Sequence, residues 1–238
     1  MRRQPFGGWK HSCVGTGAKA GGPNYVATLG LWSQTGLPNT PVAFVGEWQS
    51  LASQLEGLVA DSDSKKALRE SAKSYSYWWA SYFSKEHDPS QVHGETNNFR
   101  YRPRPWHILR LCNPNDSCAA LIATQTAIAC KLIGVKLFVS IPAANSSAAP
   151  AWLEEFGRAT RCELQREAHP QLCARLNKLR DGTVRAIGKQ STEVFAPAEV
   201  GNIHVFTTAP FANGRLELLT YVREQSMSET VHRYGNIM

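Results

Sequence analysis

The sequence predicts an α/β fold: a Rossmann-like, mostly parallel sheet with flanking helices, preceded by a helical pair and an irregular N-terminal segment. Three observations lead to this prediction. Strand-like and helix-like stretches alternate between about residues 105 and 190, which is typical of a doubly wound sheet. Residues 135–141 are apolar enough for a strand that is buried on both faces. Residues 1–43 hold eight of the 18 glycines and have no sustained helical period.

The N-terminal 43 residues are predicted to form loops with one extended segment around residues 25–31. They offer little apolar core, and a segment of this kind normally packs on another part of a protein. Residues 15–22 have the composition of a phosphate-binding loop. They do not match the pattern G-x-x-x-x-G-K-[ST], and no strand leads into them, so we predict no nucleotide site here.

The helical pair is predicted between residues 44 and 86, because apolar side chains recur there at three- and four-residue spacing. Residues 61–63, Asp-Ser-Asp, separate the helices and offer N-cap side chains to the second one. That helix carries an aromatic stripe: Tyr75, Trp78, Trp79, Tyr82 and Phe83. Such rings could stack on nucleic-acid bases. At helical spacing they more often pack into a core or an interface, which is the interpretation we prefer.

The α/β region is predicted from alternating apolar stretches and turn residues. A strand at 106–111 leads through the turn 112–117 into a helix that ends before Gly134, a residue suited to the position after a helix. The predicted elements that follow are strand 135–141, helix 150–158, a short strand near 163–165, helix 169–179, strand 183–188, strand 203–207 and helix 214–226. The final residues are expected to be polar and extended.

The turn 112–117 lies where a fold of this type would bind a dinucleotide. Such binding uses glycines, which let backbone N–H groups approach the pyrophosphate. This turn has no glycine, Pro114 lacks an N–H group, and Asp116 would bring a negative charge to the phosphates. We therefore expect a non-binding relative of a dinucleotide fold and no cofactor site in this chain.

No catalytic or metal-binding group is predicted from residue spacing. The six cysteines form no CxxC pair and no zinc-ligand pattern, so they are expected to act as small apolar residues in a reducing compartment. Cys118 and Cys130 fall in an apolar helix, where burial would raise the pKa of a thiol and weaken the nucleophile. The histidines show no triad-like spacing, and the adjacent Glu154 and Glu155 point to different parts of a helix surface.

The net charge is +7 with histidine neutral. Because the basic residues are dispersed, we expect a solvated basic surface or an acidic partner rather than a nucleic-acid partner. No apolar run approaches the roughly 20 residues of a membrane-spanning helix, and the N-terminus lacks the apolar core of a signal peptide. The expected compartment is the cytoplasm.

Two N-terminal stretches carry a family resemblance: residues 3–12 (RQPFGGWKHS) and residues 21–25 (GGPNY). They resemble the C-terminal end of the aldehyde dehydrogenase fold, in the form seen in L-glutamate γ-semialdehyde (1-pyrroline-5-carboxylate) dehydrogenases of the bacterial proline-utilisation A type. Further stretches resemble the additional C-terminal domain of the longer members of that group, namely residues 83–91, 94–103, 214–226 and 232–235.

The resemblance implies four regions: the end of the catalytic domain (1–43), a helical linker region (44–86), a Rossmann-like auxiliary domain (87–200) and a C-terminal tail motif (201–238). It also implies that the whole enzyme oxidises L-glutamate γ-semialdehyde to glutamate in proline catabolism, with NAD as the acceptor. The family's nucleophilic cysteine, general-base glutamate and NAD site would all precede Met1. This chain alone is therefore predicted to be inactive and to hold no cofactor.

A few site residues follow from the resemblance. Phe6 matches the aromatic residue that packs against the aliphatic part of the semialdehyde. Tail residues would help to cover an internal tunnel between active sites: Arg223, Glu224, Gln225, His232, Arg233 and Tyr234. The expected partners are the upstream catalytic domain of the same enzyme and further copies in a homo-oligomer. The alternative is a non-catalytic structural module for oligomerisation and tunnel closure.

Overall fold

The computed structural model of this 238-residue chain describes residues 5–8, 17–41, 48–143, 149–188 and 194–230. The strands in these ranges are β1 (Glu95–Pro103), β2 (Trp106–Leu111), β3 (Lys136–Ile141), β4 (Glu163–Arg166), β5 (Thr183–Ile187), β6 (His204–Phe206) and β7 (Val222–Thr230). The α-helices are α1 (Trp48–Gly57), α2 (Ser62–Trp78), α3 (Ala119–Ile133), α4 (Ala151–Thr160), α5 (His169–Leu176), α6 (Phe195–Val200) and α7 (Gly214–Glu217).

Five strands form a parallel sheet in the order β4-β3-β2-β5-β6, with helices packed against it. The chain enters at the central strand β2, winds outward to β4, and then returns to the other side of β2. This is the strand order of a doubly wound fold, so the predicted α/β class is confirmed. Every residue of β2 is buried, because a central parallel strand is covered on both faces.

Helix α3 follows β2 and is the most deeply buried helix in the described part of the chain. It ends at Gly134 as predicted: this glycine has φ 84°, and its N–H donates to the carbonyl of Cys130 at 2.9 Å. A side chain is strained at such a φ, which is why glycine is favoured there. None of the helices in the described ranges has the length and apolar character needed to cross a bilayer.

The predicted helical pair is confirmed as α1 and α2. Asp61 caps α2, since its carboxylate accepts a hydrogen bond from the Ser64 N–H at 2.8 Å. The helix continues into one π-helical stretch, Trp79–Phe83. Tyr75 and Phe83 of the aromatic stripe are buried, and the other rings pack against the same apolar core. The stripe is therefore a packing surface, as the preferred interpretation held.

A two-stranded antiparallel ribbon, β1 with β7, corrects the prediction of a helix over residues 214–226. Helix α7 ends at Glu217, a 3-10 turn covers Leu218–Thr220, and β7 then pairs with β1 from Pro103↔Val222 to Glu95↔Thr230. The arginine, glutamate and glutamine residues of β7 favour a helix on their own. Pairing with a strand more than a hundred residues earlier overrides that local preference.

Two smaller expectations are also wrong. Residues 25–31 are not extended, because Val26–Leu29 form a 3-10 helix stabilised by local bonds such as Thr28 N–H to the Tyr25 carbonyl. Cys118 precedes α3 and is exposed, whereas Cys130 is buried as predicted. Helix α6 was not predicted. The expected extended end of the chain, residues 231–238, lies outside the described residues, and the four region limits stay predictions.

A buried ion pair joins the parallel sheet to the tail. Arg185 of β5 binds Glu217 of α7 through two contacts, Nη1 to Oε1 at 2.6 Å and Nη2 to Oε2 at 3.1 Å. Glu217 also accepts hydrogen bonds from the Tyr221 hydroxyl at 2.7 Å and the Phe211 N–H at 2.9 Å. Both charged side chains are almost completely buried. Burial opposes the charge on Arg185, but the neighbouring carboxylate outweighs it and raises the pKa of the guanidinium.

Removing one partner of this ion pair should destabilise the protein. We expect Arg185→Met to lower the free energy of unfolding by about 3–5 kcal/mol, because it leaves the Glu217 carboxylate buried without its cation. The double variant Arg185→Met/Glu217→Gln should recover part of that loss, since glutamine is neutral and still accepts one hydrogen bond. Urea denaturation followed by circular dichroism measures both.

The control is Arg69→Met, which breaks an exposed ion pair with Glu56. Exposed pairs are worth less than about 1 kcal/mol, so this variant should change stability little. Equal losses for Arg185→Met and Arg69→Met would contradict the role given to the buried pair.

A second carboxylate shapes the loop that leads into β1. One oxygen of Asp88 accepts the N–H groups of Ser90 at 3.0 Å and Gln91 at 2.9 Å, and the other accepts that of Asn97 at 3.1 Å. These bonds, led by the one from Gln91, lower the pKa of Asp88 from 3.8 to about 2. The ionised form therefore favours the folded loop.

The stability difference between Asp88→Asn and the unmodified protein should depend on pH. The folded pKa is lower than the unfolded one, so the carboxylate stabilises the fold above the unfolded value of 3.8 and loses this effect as the pH falls through about 2. At neutral pH the variant should unfold at a lower urea concentration than the unmodified protein. This difference in urea concentration should become smaller below pH 3.8. Glu199→Gln, on the exposed face of α6, is the control. A stability difference between the two proteins that is the same at every pH would contradict this explanation.

Candidate functional site

Three of the predicted tail residues are consecutive in β7: Arg223, Glu224 and Gln225. Side chains alternate along a strand, so Glu224 points into the protein and is buried, whereas its two neighbours are half-buried. The Gln225 side chain accepts a hydrogen bond from Arg100 Nε at 2.8 Å, which links the two strands of the ribbon. The other predicted tail residues, His232, Arg233 and Tyr234, lie outside the described residues.

The Glu224 carboxylate binds the N-terminal segment. It accepts hydrogen bonds from the backbone N–H of Lys19 at 2.5 Å and from the side-chain amide of Asn24 at 2.6 Å. The Asn24 amide also donates to the Tyr101 hydroxyl at 2.8 Å, so it bridges both strands of the ribbon. Burial raises the pKa of Glu224, and the bonds from Lys19 and Asn24 oppose that rise. We call Lys19, Asn24, Tyr101 and Glu224 the latch.

The N-terminal segment is shaped to reach the latch. Phe6 and Ala20 exchange two backbone hydrogen bonds, at 3.1 and 2.9 Å, which fold the segment back on itself. At Gly22 an added Cβ would lie 2.9 Å from the Lys19 carbonyl and 3.5 Å from the Glu224 carboxylate. Only glycine fits there without moving backbone. The Phe6 side chain is 64% exposed, so its ring is open to further contact.

Beyond the latch, the segment exposes large apolar side chains. We call this set the apolar strip, and it consists of Tyr25, Val26, Leu29, Leu31, Trp32 and Leu37. The segment that carries it is fastened to the tail, because the Gln34 side chain accepts a hydrogen bond from the Ala212 N–H at 2.7 Å. Contiguous exposed apolar residues of this kind commonly mark a contact surface with another protein part.

Aromatic side chains and one arginine lie next to the latch. The Tyr101 hydroxyl lies 3.5 Å from that of Tyr82, and burial raises the pKa of Tyr101, which keeps this hydroxyl neutral. The Arg215 guanidinium lies 5.0 Å from the Tyr82 ring centre and 5.5 Å from that of Phe83. Such cation–π contacts hold α7 against the π-helical stretch that continues α2.

The crevice at the carboxyl ends of β2 and β5 is where this topology would hold a dinucleotide. The Asp116 side chain lies there and accepts a hydrogen bond from the Cys118 N–H at 3.4 Å. The Asn115 N–H is likewise bonded to the Asn113 side chain at 3.2 Å. These amides therefore already have partners in their own turn. Residues 189–193, which follow β5 and Gly188 in the sequence, lie outside the described residues.

Other parts of the described chain offer little for catalysis. Within the described ranges, no group of three or more His, Cys, Asp and Glu side chains could hold a metal ion. A cavity of about 200 Å³ borders α3 and β3, with Cys130 and Cys162 in its wall. Burial raises the pKa of both thiols, which disfavours the nucleophilic thiolate.

Sequence reasoning found part of the latch. The family resemblance pointed to Glu224, which belongs to the latch, and to Phe6, which pairs through its backbone with Ala20, the residue after Lys19 of the latch. Lys19, Asn24 and Tyr101 were not singled out as site residues. The signal for Tyr101 is a period-two pattern, since alternate residues of β1 from Asn97 onward are buried.

Comparison with known proteins places this fold. No protein-family model matches the sequence, and no curated protein matches it significantly. Among solved structures, Proline Utilization A (PutA) from Corynebacterium freiburgense matches 99% of this chain, with a TM-score of 0.65 and 27% identity. The match covers only 20% of that chain. This chain is thus a Rossmann-like α/β protein similar in fold to one part of a much longer protein.

Weaker similarities were found as well. PutA from Bradyrhizobium japonicum matches 67% of this chain and 19% of its own, with 16% identity and a TM-score of 0.43. An aldehyde dehydrogenase from Bacillus cereus matches 66% of this chain and 34% of its own, with 15% identity and a TM-score of 0.45. TM-scores below 0.5 do not establish a common fold, so the similarity rests on the Corynebacterium freiburgense structure.

Changing the latch carboxylate should release the N-terminal segment. In Glu224→Gln, an amide replaces one of the two oxygens that accept from Lys19 and Asn24, so one buried donor loses its partner. We expect faster hydrogen exchange at residues 17–24, with the parallel sheet unchanged. Glu229→Gln, on the exposed end of the same strand, should have no such effect. Exchange that is equally slow in both variants would argue against the latch.

Proposed function

We propose that this chain is the C-terminal part of an NAD-dependent L-glutamate γ-semialdehyde (1-pyrroline-5-carboxylate) dehydrogenase of proline catabolism. The observation that carries the proposal is the match over 99% of this chain, but only 20% of the other, to a Proline Utilization A protein at 27% identity. The motif resemblance of residues 3–12 and 21–25 points the same way. The catalytic cysteine, the general-base glutamate and the NAD site then belong to an upstream part.

In this proposal the chain contributes assembly rather than chemistry. The latch supports this role, because it ties Lys19 and Asn24, near the end of the proposed catalytic domain, to Glu224 of the tail. These residues are 200 or more positions apart in the sequence. Phe6 lies on the same segment with its ring exposed. There it can form an apolar wall that positions the semialdehyde and excludes water from the reacting carbon.

The proposed main partner is the upstream catalytic domain of the same enzyme. The apolar strip supports this, since each of its six large side chains is more than a third exposed and would lose contact with water on docking. The Asp116 carboxylate in the crevice supports the view that NAD is held upstream and not here. Homo-oligomerisation and a cytoplasmic location belong to the same proposal.

The alternative is a structural module that closes a tunnel and supports oligomerisation by contact alone. The β1–β7 ribbon favours the structural module, because the side chains of Arg223 and Gln225 lie on the partly exposed face of the ribbon. The two candidates differ in what they need. The fragment must be joined to a catalytic part with its cysteine and glutamate, whereas the module needs only a surface to bind.

The proposal is tested with the chain alone and with the full-length product of its gene. The chain alone should form no NADH from L-glutamate γ-semialdehyde, and the full-length protein should form it. In the full-length protein, Phe6→Ala should raise KM for the semialdehyde roughly tenfold, because an apolar contact worth about 1–2 kcal/mol is lost. Phe195→Ala, which removes an exposed ring from α6, is the matched control.

Two outcomes would overturn the proposal. One is a clear rate of NADH formation by the chain alone. The other is an upstream coding sequence without an aldehyde dehydrogenase cysteine and glutamate. The module is tested separately by sedimentation of the chain alone and mixed with the upstream part. A strict monomer that never binds that part would exclude it.

A further inference from the structure

The five described cysteines have different surroundings: Cys112, Cys118, Cys130, Cys162 and Cys173. Cys130 and Cys162 are held as thiols, because burial raises the pKa of each. The Cys112 side chain packs closely on the backbone of Gly188, because a Cβ added to Gly188 would lie 3.0 Å from the Cβ of Cys112. The remaining two cysteines are both at least partly exposed and differ in the group beside the sulfur.

Cys118 lies next to a carboxylate. Its Sγ is 3.3 Å from Asp116 Oδ1, and the thiol donates to that oxygen. Partial burial and then this carboxylate raise the pKa of Cys118, because a negative neighbour disfavours the thiolate. Exposure alone therefore does not make this thiol a good nucleophile.

Cys173 lies next to an imidazole. It follows His169 by four residues on α5, so the two side chains share one face of the helix. Its Sγ is 3.5 Å from His169 Nε2, and both residues are partly exposed. Leu172 and Leu176, which are fully buried, lie beside this pair on the helix. The sulfur and the ring nitrogen therefore lie together at the edge of the buried face of α5, where both side chains stay half-buried.

We propose that Cys173 and His169 form a modification site for hydroperoxides, separate from the dehydrogenase function proposed above. The thiol proton moves to His169 Nε2, and the resulting thiolate attacks the peroxide oxygen that carries hydrogen. The S–O bond forms as the O–O bond breaks, and the leaving oxygen takes the proton from the imidazolium. The products are a sulfenic acid on Cys173, neutral His169 and one molecule of water or alcohol.

A metal site on the same pair is the weaker reading. Protein metal sites normally use at least three protein ligands, and no group of three such side chains is present in the described ranges. A sulfur with one adjacent base is, by contrast, sufficient for nucleophilic attack on a peroxide. The chemistry of the pair therefore favours oxidation over metal binding.

The site is tested on the intact chain by peptide mapping after brief exposure to iodoacetamide. Cys173 should react about tenfold faster than Cys118, because the thiolate is the nucleophile: a neighbouring imidazole can take the proton of Cys173 and carry a compensating positive charge, whereas the negative Asp116 disfavours the thiolate of Cys118. After hydrogen peroxide treatment, a dimedone adduct should form on Cys173. His169→Gln should slow both reactions at Cys173 about tenfold and leave Cys118 unchanged.

The matched control is His93→Gln, which makes the same change at an exposed histidine in the turn before β1. Reaction of the urea-unfolded protein corrects for intrinsic differences between the two cysteines. Cys173 reacting no faster than Cys118, or His169→Gln behaving like His93→Gln, would overturn the proposal. So would fast alkylation without a dimedone adduct, since that excludes peroxide as the oxidant. None of these results bears on NAD-dependent turnover.

Discussion

The ion pair between Arg185 and Glu217 is the interaction on which the rest of the arrangement depends. An arginine in the middle of a buried sheet is tolerated only if a carboxylate meets it with good geometry. Glu217 provides that carboxylate and thereby fixes α7 and the following turn against the sheet. Tyr221, the last residue before β7, bonds to the same carboxylate, so the start of β7 is set as well.

The latch follows from that placement. With its first residue fixed near the sheet, β7 runs along β1 and turns Glu224 toward the interior. The carboxylate is then where the Lys19 N–H and the Asn24 amide can reach it. A buried carboxylate needs hydrogen-bond donors, and the N-terminal segment provides them at Lys19 and Asn24. Gly22 allows the backbone of that segment to come close to the carboxylate. The tail is therefore both part of the core and the surface on which the first residues dock.

Local surroundings also set the chemistry of the described crevice and cysteines. The crevice that would hold a dinucleotide contains Asp116, and the amides around it are bonded to side chains of their own turn. Burial favours the protonated form of two thiols, that of the buried Cys130 and that of the half-buried Cys162. In our proposal, the half-buried Cys173–His169 pair is the site that reacts with a small molecule.

Local patterns were enough to predict much of the parallel sheet. Residues 135–141 are mostly apolar, as suits a parallel strand covered on both faces. Asp61 offers a cap to the helix that follows it, and Gly134 ends α3 because of its own backbone freedom. The N-terminal motifs likewise carry the family resemblance within a few residues. The sequence by itself therefore determined the α/β class and the helical pair, whereas the roles given to Phe6 and Glu224 stay predictions.

Tertiary structure decided the ribbon and the latch. Residues 222–230 favour a helix locally, and their inward-facing Glu224 hides the alternation that marks a strand. They form β7 only because β1 supplies hydrogen-bond partners from another part of the chain. The partners of Glu224 and Arg185 are equally distant in the sequence. Contacts of this range depend on how the whole core packs, and no short stretch of residues can encode them.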